Sequence, residues 1–524
     1  MTDQPAPDQR PGLLDHVGAW IDSAALALSP KWAASREHYR RVHAAYEAAK
    51  PSTLRKGRRE AASGDGATLR AGRSLREQAR HLEQNHDLAR GALAVLVANI
   101  AGGHGIGIEP QPCNKDGTIN LEVADQLRKL HRDWERKKPE VTGTFRWAGA
   151  QRLAARSWVR DGEFLYQDLI GNIQGLNHRS KVPYSIELIE SDLLPFELNA
   201  SGDPWITMGV ERNAWGERVA YHLYKQHPGD WLAVNLWSIA PGSTGIRRVS
   251  ADRMHLVGLF DRIRQCRGVS IFASVLTRLD DLKDYEESER IAAKVAASMA
   301  AYIKKGRPEE YASHKGEDSP HRALKFRPGM IFDDLLPGEE IGTIDTSRPN
   351  TNLAEHRNGQ LRAVASGVNT SFSSLSKAYL GSYSSQRQEL VETWNNYLVL
   401  QEEFTAQFVA PVYETFVAAA LAAGLLRLPS TIDLDTLDDA LYIGPQMPWI
   451  DPGKESQAWE RLERNGHASG PEIIRRRGES PDDVLRQEHT WRQRWKQMAM
   501  VNAADPANNA APIPHDNTPV NNND

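Results

Sequence analysis

The sequence predicts an α+β protein, and three observations carry that prediction. Apolar residues recur every three or four positions through Ser74–Ile100, Leu121–Arg136 and most of 270–305, the spacing of helices that bury one face. Between 163 and 260 the pattern breaks into short runs of β-branched and aromatic residues separated by turn signals, which predicts an antiparallel, β-rich region. After 352 the helical period returns, so strands and helices occupy separate stretches. A chain of 524 residues has room for two or more domains.

Taken in order, residues 1–30 read as a weakly ordered arm, and 31–49 as a short helix with Trp32, Tyr39, Val42 and Tyr46 near helical spacing. A loop is expected at Ser63-Gly64-Asp65-Gly66. Ser74 then caps one long helix to Ile100, with Glu77 at the capping-box position and Gly102 and Gly103 as its stop. Ile106-Gly107-Ile108-Glu109 is strand-like, and helices follow at Leu121–Arg136 and Gln151–Arg160. Asp161-Gly162 turns the chain into a strand, Glu163–Tyr166. Further strands are expected at Tyr184–Ile189, Trp205–Val210, Val219–Tyr224 and Met254–Phe260, with Asn213-Ala214-Trp215-Gly216 as a hairpin turn. Phe272, Val275, Leu279, Leu282, Ile291, Val295, Met299 and Ile303 predict a helix from Ser270 to about Lys305, stopped by Gly306 and Pro308. Short strands and turns fill 306–350, a helix covers 352–366, and one or two long helices cover 384–423. Residues 501–524 are rich in Asn, Pro and Ala and read as disordered.

The charge balance, 68 acidic against 64 Lys and Arg, gives a formal net charge of −4 and argues against a tight grip on nucleic acid over the whole surface. Two basic stretches, 55–76 and 475–496, leave local binding open. Cys113 and Cys266 fit a reducing compartment. The N-terminus lacks a secretory pattern. The best membrane candidate, Leu88–Ile108, is broken by Arg90, Asn99 and four glycines, so a soluble protein of the cytoplasm is expected.

No catalytic constellation, cofactor fingerprint or metal ligand set emerges. Gly102-Gly103-His104-Gly105-Ile106-Gly107 is glycine-rich, but it follows a helix and lacks the Lys-Ser/Thr pair of a phosphate loop. His81, His86 and His255 have no serine or cysteine nucleophile elbow to serve. The acids Asp280, Asp281, Asp284, Glu286, Glu287 and Glu289 are interleaved with Lys283 and Arg290, as on a solvated helix face. The most informative stretch is 354–392. A helix-like run to Ala365 is followed by a Ser/Asn-rich break, and Tyr379-Leu380-Gly381-Ser382-Tyr383-Ser384-Ser385-Gln386-Arg387 opens another helix. Ser384 and Ser385 suit a helix cap, and Arg387 suits a subunit's acid or a phosphate.

That stretch resembles the signature of the lambda-type tailed-phage portal proteins, and the likeness extends over most of 70–480. Its pieces are Asn85-His86-Asp87-Leu88-Ala89-Arg90-Gly91-Ala92, Asn99 to Ile106, Asp161-Gly162-Glu163, Gly209-Val210-Glu211 with Ala220-Tyr221-His222, His255-Leu256 and Arg267-Gly268-Val269-Ser270. Leu336-Pro337-Gly338, Ala363-Val364-Ala365-Ser366-Gly367, Tyr383-Ser384-Ser385-Gln386-Arg387 and Pro448 to Glu455 complete it. Where family members commonly carry an acid before Tyr-Ser-Ser, this chain has Lys377-Ala378-Tyr379-Leu380-Gly381.

The resemblance implies a portal fold with a mixed α/β wing, an α-helical stem, a small α/β clip and a helical crown. On that map 1–30 is a flexible arm and 31–270 the N-terminal helices and wing. Residues 271–304 and 351–366 are stem helices flanking a clip at 305–350. Residues 367–450 are tunnel-facing and wing helices, 451–500 the crown, and 501–524 a disordered tail. The implied assembly is a ring, commonly of about twelve copies under closed cyclic symmetry, at one capsid vertex of the virion, made in the host cytoplasm. Implied partners are other copies of the chain, large terminase, head–tail connector or adaptor proteins, major capsid and scaffolding proteins, and double-stranded DNA passing through the channel, with no membrane. ATP hydrolysis would belong to the terminase. Lys377, Ser384, Ser385 and Arg387 are the candidate channel or subunit contacts. The rival readings are a soluble hydrolase built from dispersed His, Asp and Glu, and a DNA-binding adaptor.

Overall fold

The computed structural model describes residues 60–202, 204–230, 245–297, 301–305, 339–343, 352–379, 381–448, 451–498 and 500, together with Lys31. The chain divides into two compact units, Met1–Ser63 and Gly64–Asp524, and the architecture below is that of the second. It is mixed α/β, with helices packed around small antiparallel sheets. The expected arm at 1–30, helix at 31–49, most of the 306–350 segment and the tail at 501–524 lie outside the described residues.

Two helices stand where one was expected: α1 (Gly64–Asn85) and α2 (Asp87–Ile100). The first begins inside the expected loop because Asp65 is held from afar, accepting from Arg212 at 3.0 Å and from the Cys266 amide at 2.6 Å. Asp65 also suits the first turn of a helix, where the backbone dipole favours a carboxylate. Ser74 is therefore an interior residue, not a cap. The break falls at His86, whose backbone is extended and whose Nδ1 accepts from the Leu88 amide. Its Nε2 lies 3.1 Å from the Leu279 carbonyl. This buried imidazole ends one helix, starts the next and ties both to a distant segment.

Strand β1 (Gly107–Pro110), α3 (Leu121–Arg136), α4 (Trp147–Asp161) and β2 (Glu163–Ile170) follow. Asn120 caps α3 by accepting from Val123. β2 is the centre of a three-stranded antiparallel sheet, between β3 (Tyr184–Ile189) and β8 (Met254–Gly258). A second sheet runs β4 (Trp205–Thr207), β5 (Val210–Arg212), β6 (Arg218–Tyr224), β7 (Ile246–Ser250). The expected single strand Trp205–Val210 is instead a hairpin, because Met208 and Gly209 both take positive φ and reverse the chain. The turn at Asn213–Gly216 is borne out. Asn213 Oδ1 accepts from Trp215 and Glu217, and Gly216 supplies the positive φ.

Helix α5 (Leu276–Ala297) stops short of the expected Lys305, and β9 (Ala301–Lys305) pairs antiparallel with β10 (Glu339–Thr343). A ladder from another segment satisfies this backbone, so the apolar spacing that places Ile303 in a helix misleads, while Met299 lies outside the described residues. Helix α6 (Leu353–Gly367) returns antiparallel to α5, with Ser274 near Gly367, Arg278 bonded to Gln360 and Glu286 to Arg357. After α7 (Phe372–Ser376), α8 (Tyr383–Phe404) runs through a π-helical turn, Thr405–Val409, into α9 (Ala410–Ala422). Pro411 lacks an N–H, and the wider turn absorbs that missing bond without breaking the helix. Among the described residues the run Tyr383–Ala422, not the expected candidate Leu88–Ile108, is long and apolar enough to span a bilayer by length and composition. Yet 56% of its most apolar stretch is buried inside the fold, as in a core helix.

That helix builds the main core. Phe404, Phe408, Tyr413 and Phe416 interleave with Trp134, Trp147, Trp158, Phe164 and Tyr166. Trp134 stacks on Tyr184 with centroids 5.5 Å apart. Strand β11 (Ala440–Ile443) pairs with β1, and the C-terminal block is α10 (Pro452–Arg464), α11 (Gly470–Arg476) and α12 (Pro481–Gln497).

Candidate functional site

The stretch singled out in the sequence folds as α6, α7 and the start of α8 around an open polar cleft of about 700 Å³. Ser371 caps α7 by accepting from Ser374. Glu389 of α8 reaches the same turn, accepting from the Ser373 amide at 3.2 Å and its hydroxyl at 2.5 Å. Arg362 lies over the Phe372 ring at 5.2 Å, and Thr370 and Tyr397 share a hydrogen bond of 2.8 Å beneath. The cleft is thus a hydroxyl-rich groove between helices with Arg362, Glu389 and Glu392 in its walls.

Of the four sequence candidates only Ser385 lines this groove, and they do not converge. Lys377 ends α7 in the left-handed conformation, φ +56°, and is exposed. Ser382, not Ser384 or Ser385, is the cap of α8, accepting from the Ser385 amide. Helix boundaries move by a residue or two in sequence reading, and the true cap sits just before the tyrosine. Ser385 donates its hydroxyl to the Ser382 carbonyl at 2.9 Å and lines the cleft. Ser384 is exposed. The Arg387 side chain is exposed and, like that of Lys377, has no hydrogen bond or ion pair among the described residues.

A second feature escaped sequence reading. The short motifs pair off, 161–163 with 267–270 and 209–211 with 220–222. Glu163 is wholly buried and accepts from Arg267 Nε at 2.8 Å, Arg76 at 2.7 Å and the Gly268 amide at 2.8 Å. Burial opposes its ionisation, but the two guanidiniums outweigh burial and hold its carboxyl below the usual range. Asp161 likewise stays ionised against burial because Arg160 and Arg80 grip it. Gly162 between them has φ +86°, and a Cβ there would fall 2.3 Å from the Val269 carbonyl carbon, so the two motifs meet backbone to backbone. Glu211 of β5 takes Arg248 and then His222, which hold it down to about 2. The 55–76 stretch is therefore no free cationic patch at its end, since Arg76 belongs to this buried network.

The remaining chemistry candidates resolve into structure. Asp168 accepts from Tyr184 at 2.5 Å and lies 2.8 Å from His255 Nε2, and His255 stacks on Tyr166. Cys113 and Cys266 are both free. Burial pushes the Cys266 thiol up to about 11, away from nucleophilic use. Among the described residues, Glu190, Asp192 and His227 bring ligand atoms within 4.8 Å of one another. Arg80 already occupies Asp192 at 2.5 Å, and His227 Nδ1 accepts from Gly229. With Nδ1 accepting, the imidazole proton sits on Nε2, which faces Glu190 Oε2 at 3.4 Å, so the arrangement suits a His–Glu contact better than a cation. Asp280, Asp281, Asp284 and Glu287 are exposed on the outer face of α5, while Glu286 pairs with Arg357 at 2.6 Å. The glycine run at 102–107 is a helix stop, and the Ile106 amide is taken by Gln151 at 2.7 Å.

Comparison with known proteins bears on this arrangement. The sequence profile described as "Phage portal protein, lambda family" matches residues 50–401. The "Probable portal protein" of Halomonas phage phiHAP-1 is 26% identical over 473 residues, covering 88% of this chain and 88% of that protein. The "Portal protein" of Escherichia phage N15 is 21% identical and "Portal protein B" of Escherichia phage lambda 20% identical. Each of those two alignments covers 53% of this chain and 57% of the relative. Among solved structures, a chain of "Neck of empty GTA particle computed with C6 symmetry" aligns with a TM-score of 0.41 and 14% identity, over 79% of this chain and 94% of that one. A chain of "Neck of native GTA particle computed with C12 symmetry" gives 0.38 and 13%, over 76% and 90%. At these scores the neck chains add no weight to the assignment.

Proposed function

From the fact that this chain belongs to the lambda family of phage portal proteins, we propose that its copies close into a ring at one capsid vertex. Double-stranded DNA is packaged and ejected through that ring. Large terminase docks during packaging, head–tail connector proteins dock afterwards, and capsid and scaffolding proteins meet the outer face. Family membership over 50–401 is the observation that carries this reading.

The antiparallel pair α5 and α6 supports a stem, and the β9–β10 ladder between them supports a clip. The first stem helix then ends at Ala297, and the clip begins with β9. The wing is assigned to the sheets and helices of 31–270 and part of 367–450, and the crown to 451–500. The action is geometric and electrostatic. Closed symmetry limits growth to a ring, and a mixed-charge bore keeps DNA from adhering. Lys377 and Arg387, with Ser384 and Ser385 beside them, are assigned to subunit or channel contacts because both cations are exposed and unpaired among the described residues.

Native mass spectrometry with negative-stain imaging tests the proposal. The expected result is a holed ring of about twelve subunits, with Arg387→Glu lowering the ring fraction. A compact dimer or tetramer without a hole would overturn it.

A further inference from the structure

The basic stretch 475–496 remains unexplained by the ring, and the structure sets it apart from the described part, 60–76, of the other basic stretch. Arg73 is tied to Glu77 and Glu197, and Arg76 to Glu163. On α12, Arg486 is tied to Asp125 and Asp483, and Arg492 to Glu488. The Arg494 side chain is exposed and has no hydrogen bond or ion pair among the described residues, and the same holds for the Lys496 side chain. Trp491, three residues before Arg494 and so on the same helix face, is 51% exposed. Its ring stands 5.8 Å from that of Trp495 at an interplanar angle of 70°. Between α12 and α3 these side chains border an open cleft of about 550 Å³, with Arg132, Asp483, Gln487, Thr490, Trp491 and Arg494 in its walls. Its one carboxylate, Asp483, is already neutralised by Arg132 and Arg486.

We propose that this cleft binds single-stranded nucleic acid, with a base against the Trp491 indole and a phosphate on Arg494. An exposed indole beside an unpaired guanidinium is the pairing that single strands use, since every base has a face to stack and every linkage a charge. Gln487 and Thr490 add hydrogen-bonding groups at the same edge. An acidic peptide would satisfy the arginine and leave the indole unused, so the observations favour the nucleic acid. The inference does not depend on ring formation.

The test is a fluorescence-anisotropy titration of the full-length protein against a labelled thymidine oligonucleotide of about a dozen nucleotides, at several salt concentrations. Binding is expected to weaken about 10-fold in Trp491→Ala. In Arg494→Gln the salt slope should fall by about 0.7, the loss of one phosphate contact. A duplex of equal length should bind more weakly and be indifferent to Trp491→Ala. Both side chains are exposed, so each variant should keep the circular dichroism of the unaltered protein. The proposal is overturned if the unaltered protein does not bind, if both variants bind as it does, or if the duplex binds as tightly as the single strand. Displacement of the oligonucleotide by polyglutamate at equal concentration would overturn it as well.

Discussion

Glu163 concentrates the energetics of the fold in one carboxylate. Arg267, its closest partner, is fully buried and also donates to the Leu194, Met208 and Ser191 carbonyls. Removing one partner of such a group leaves an uncompensated buried charge, which costs about 3–5 kcal/mol. Glu163→Gln should therefore lower unfolding free energy by about that amount in a denaturant titration. A loss under about 1 kcal/mol, the worth of an exposed pair, would show that the network is not load-carrying. His131 gives the pH counterpart. It is buried against Trp134, Tyr413 and Phe416, with Glu135 at 3.5 Å, and burial lowers its pKa from 6.5. As pH falls below about 6.5 the unfolded chain takes a proton that the folded chain refuses. The contribution to stability is thus full above that pH and is lost as pH falls toward the lowered folded value. His131→Leu should flatten this part of the acid limb, and an unchanged pH profile would refute the assignment. Sequence showed Asp161-Gly162-Glu163 and Arg267-Gly268 as separate motifs. It did not show that they meet, because the partners are about a hundred positions apart.

At the level of elements, the C-terminal block stands apart in how it is held. Among the described residues of α10, α11 and α12, only Pro481 is buried. Its attachments to the body are ionic: Arg128 to Asp482, Arg132 to Asp483 at 2.6 Å, Asp125 to Arg486 at 3.1 Å, and Glu109 gripped by both ends of the Arg475 guanidinium at 2.9 Å. Pairs of this kind weaken when the screening length falls from about 10 Å at 0.1 M salt to about 3 Å at 1 M. Hydrogen exchange in α11 and α12 should accelerate over that range while α2 and α8 hold their protection. Equal protection at both concentrations would mean that apolar packing holds the block. Elements with a strong local pattern were legible, and α3 has the bounds its spacing predicts. Elements fixed by remote partners were not. Asp65 starts α1 through Arg212 and Cys266, β10 draws β9 out of a helical pattern, and β7, Ile246-Arg247-Arg248-Val249-Ser250, carries too few apolar residues to stand out beside β6.

Over the whole molecule, the family assignment and the helix–sheet–helix order were readable because motif order survives when individual motifs are weak. The polar cleft of α6, α7 and α8 was only half readable. Its serine-rich break stood out, but Glu389 and Arg362 enter from helices whose packing no local pattern encodes. The pairing of β1 with β11 has a further consequence, because Gly107 lies opposite Ile443. On a ribosome adding about 5–20 residues per second, the second strand follows the first by roughly 17–70 s. Throughout that interval β1 waits with an open edge, and the aromatic core waits for α8 and α9. A nascent chain of this protein is thus committed to a long unsealed period in which chaperone capture competes with self-association. Among the described strands β11 is made last, so the two-stranded sheet with β1 closes only once it has been synthesised.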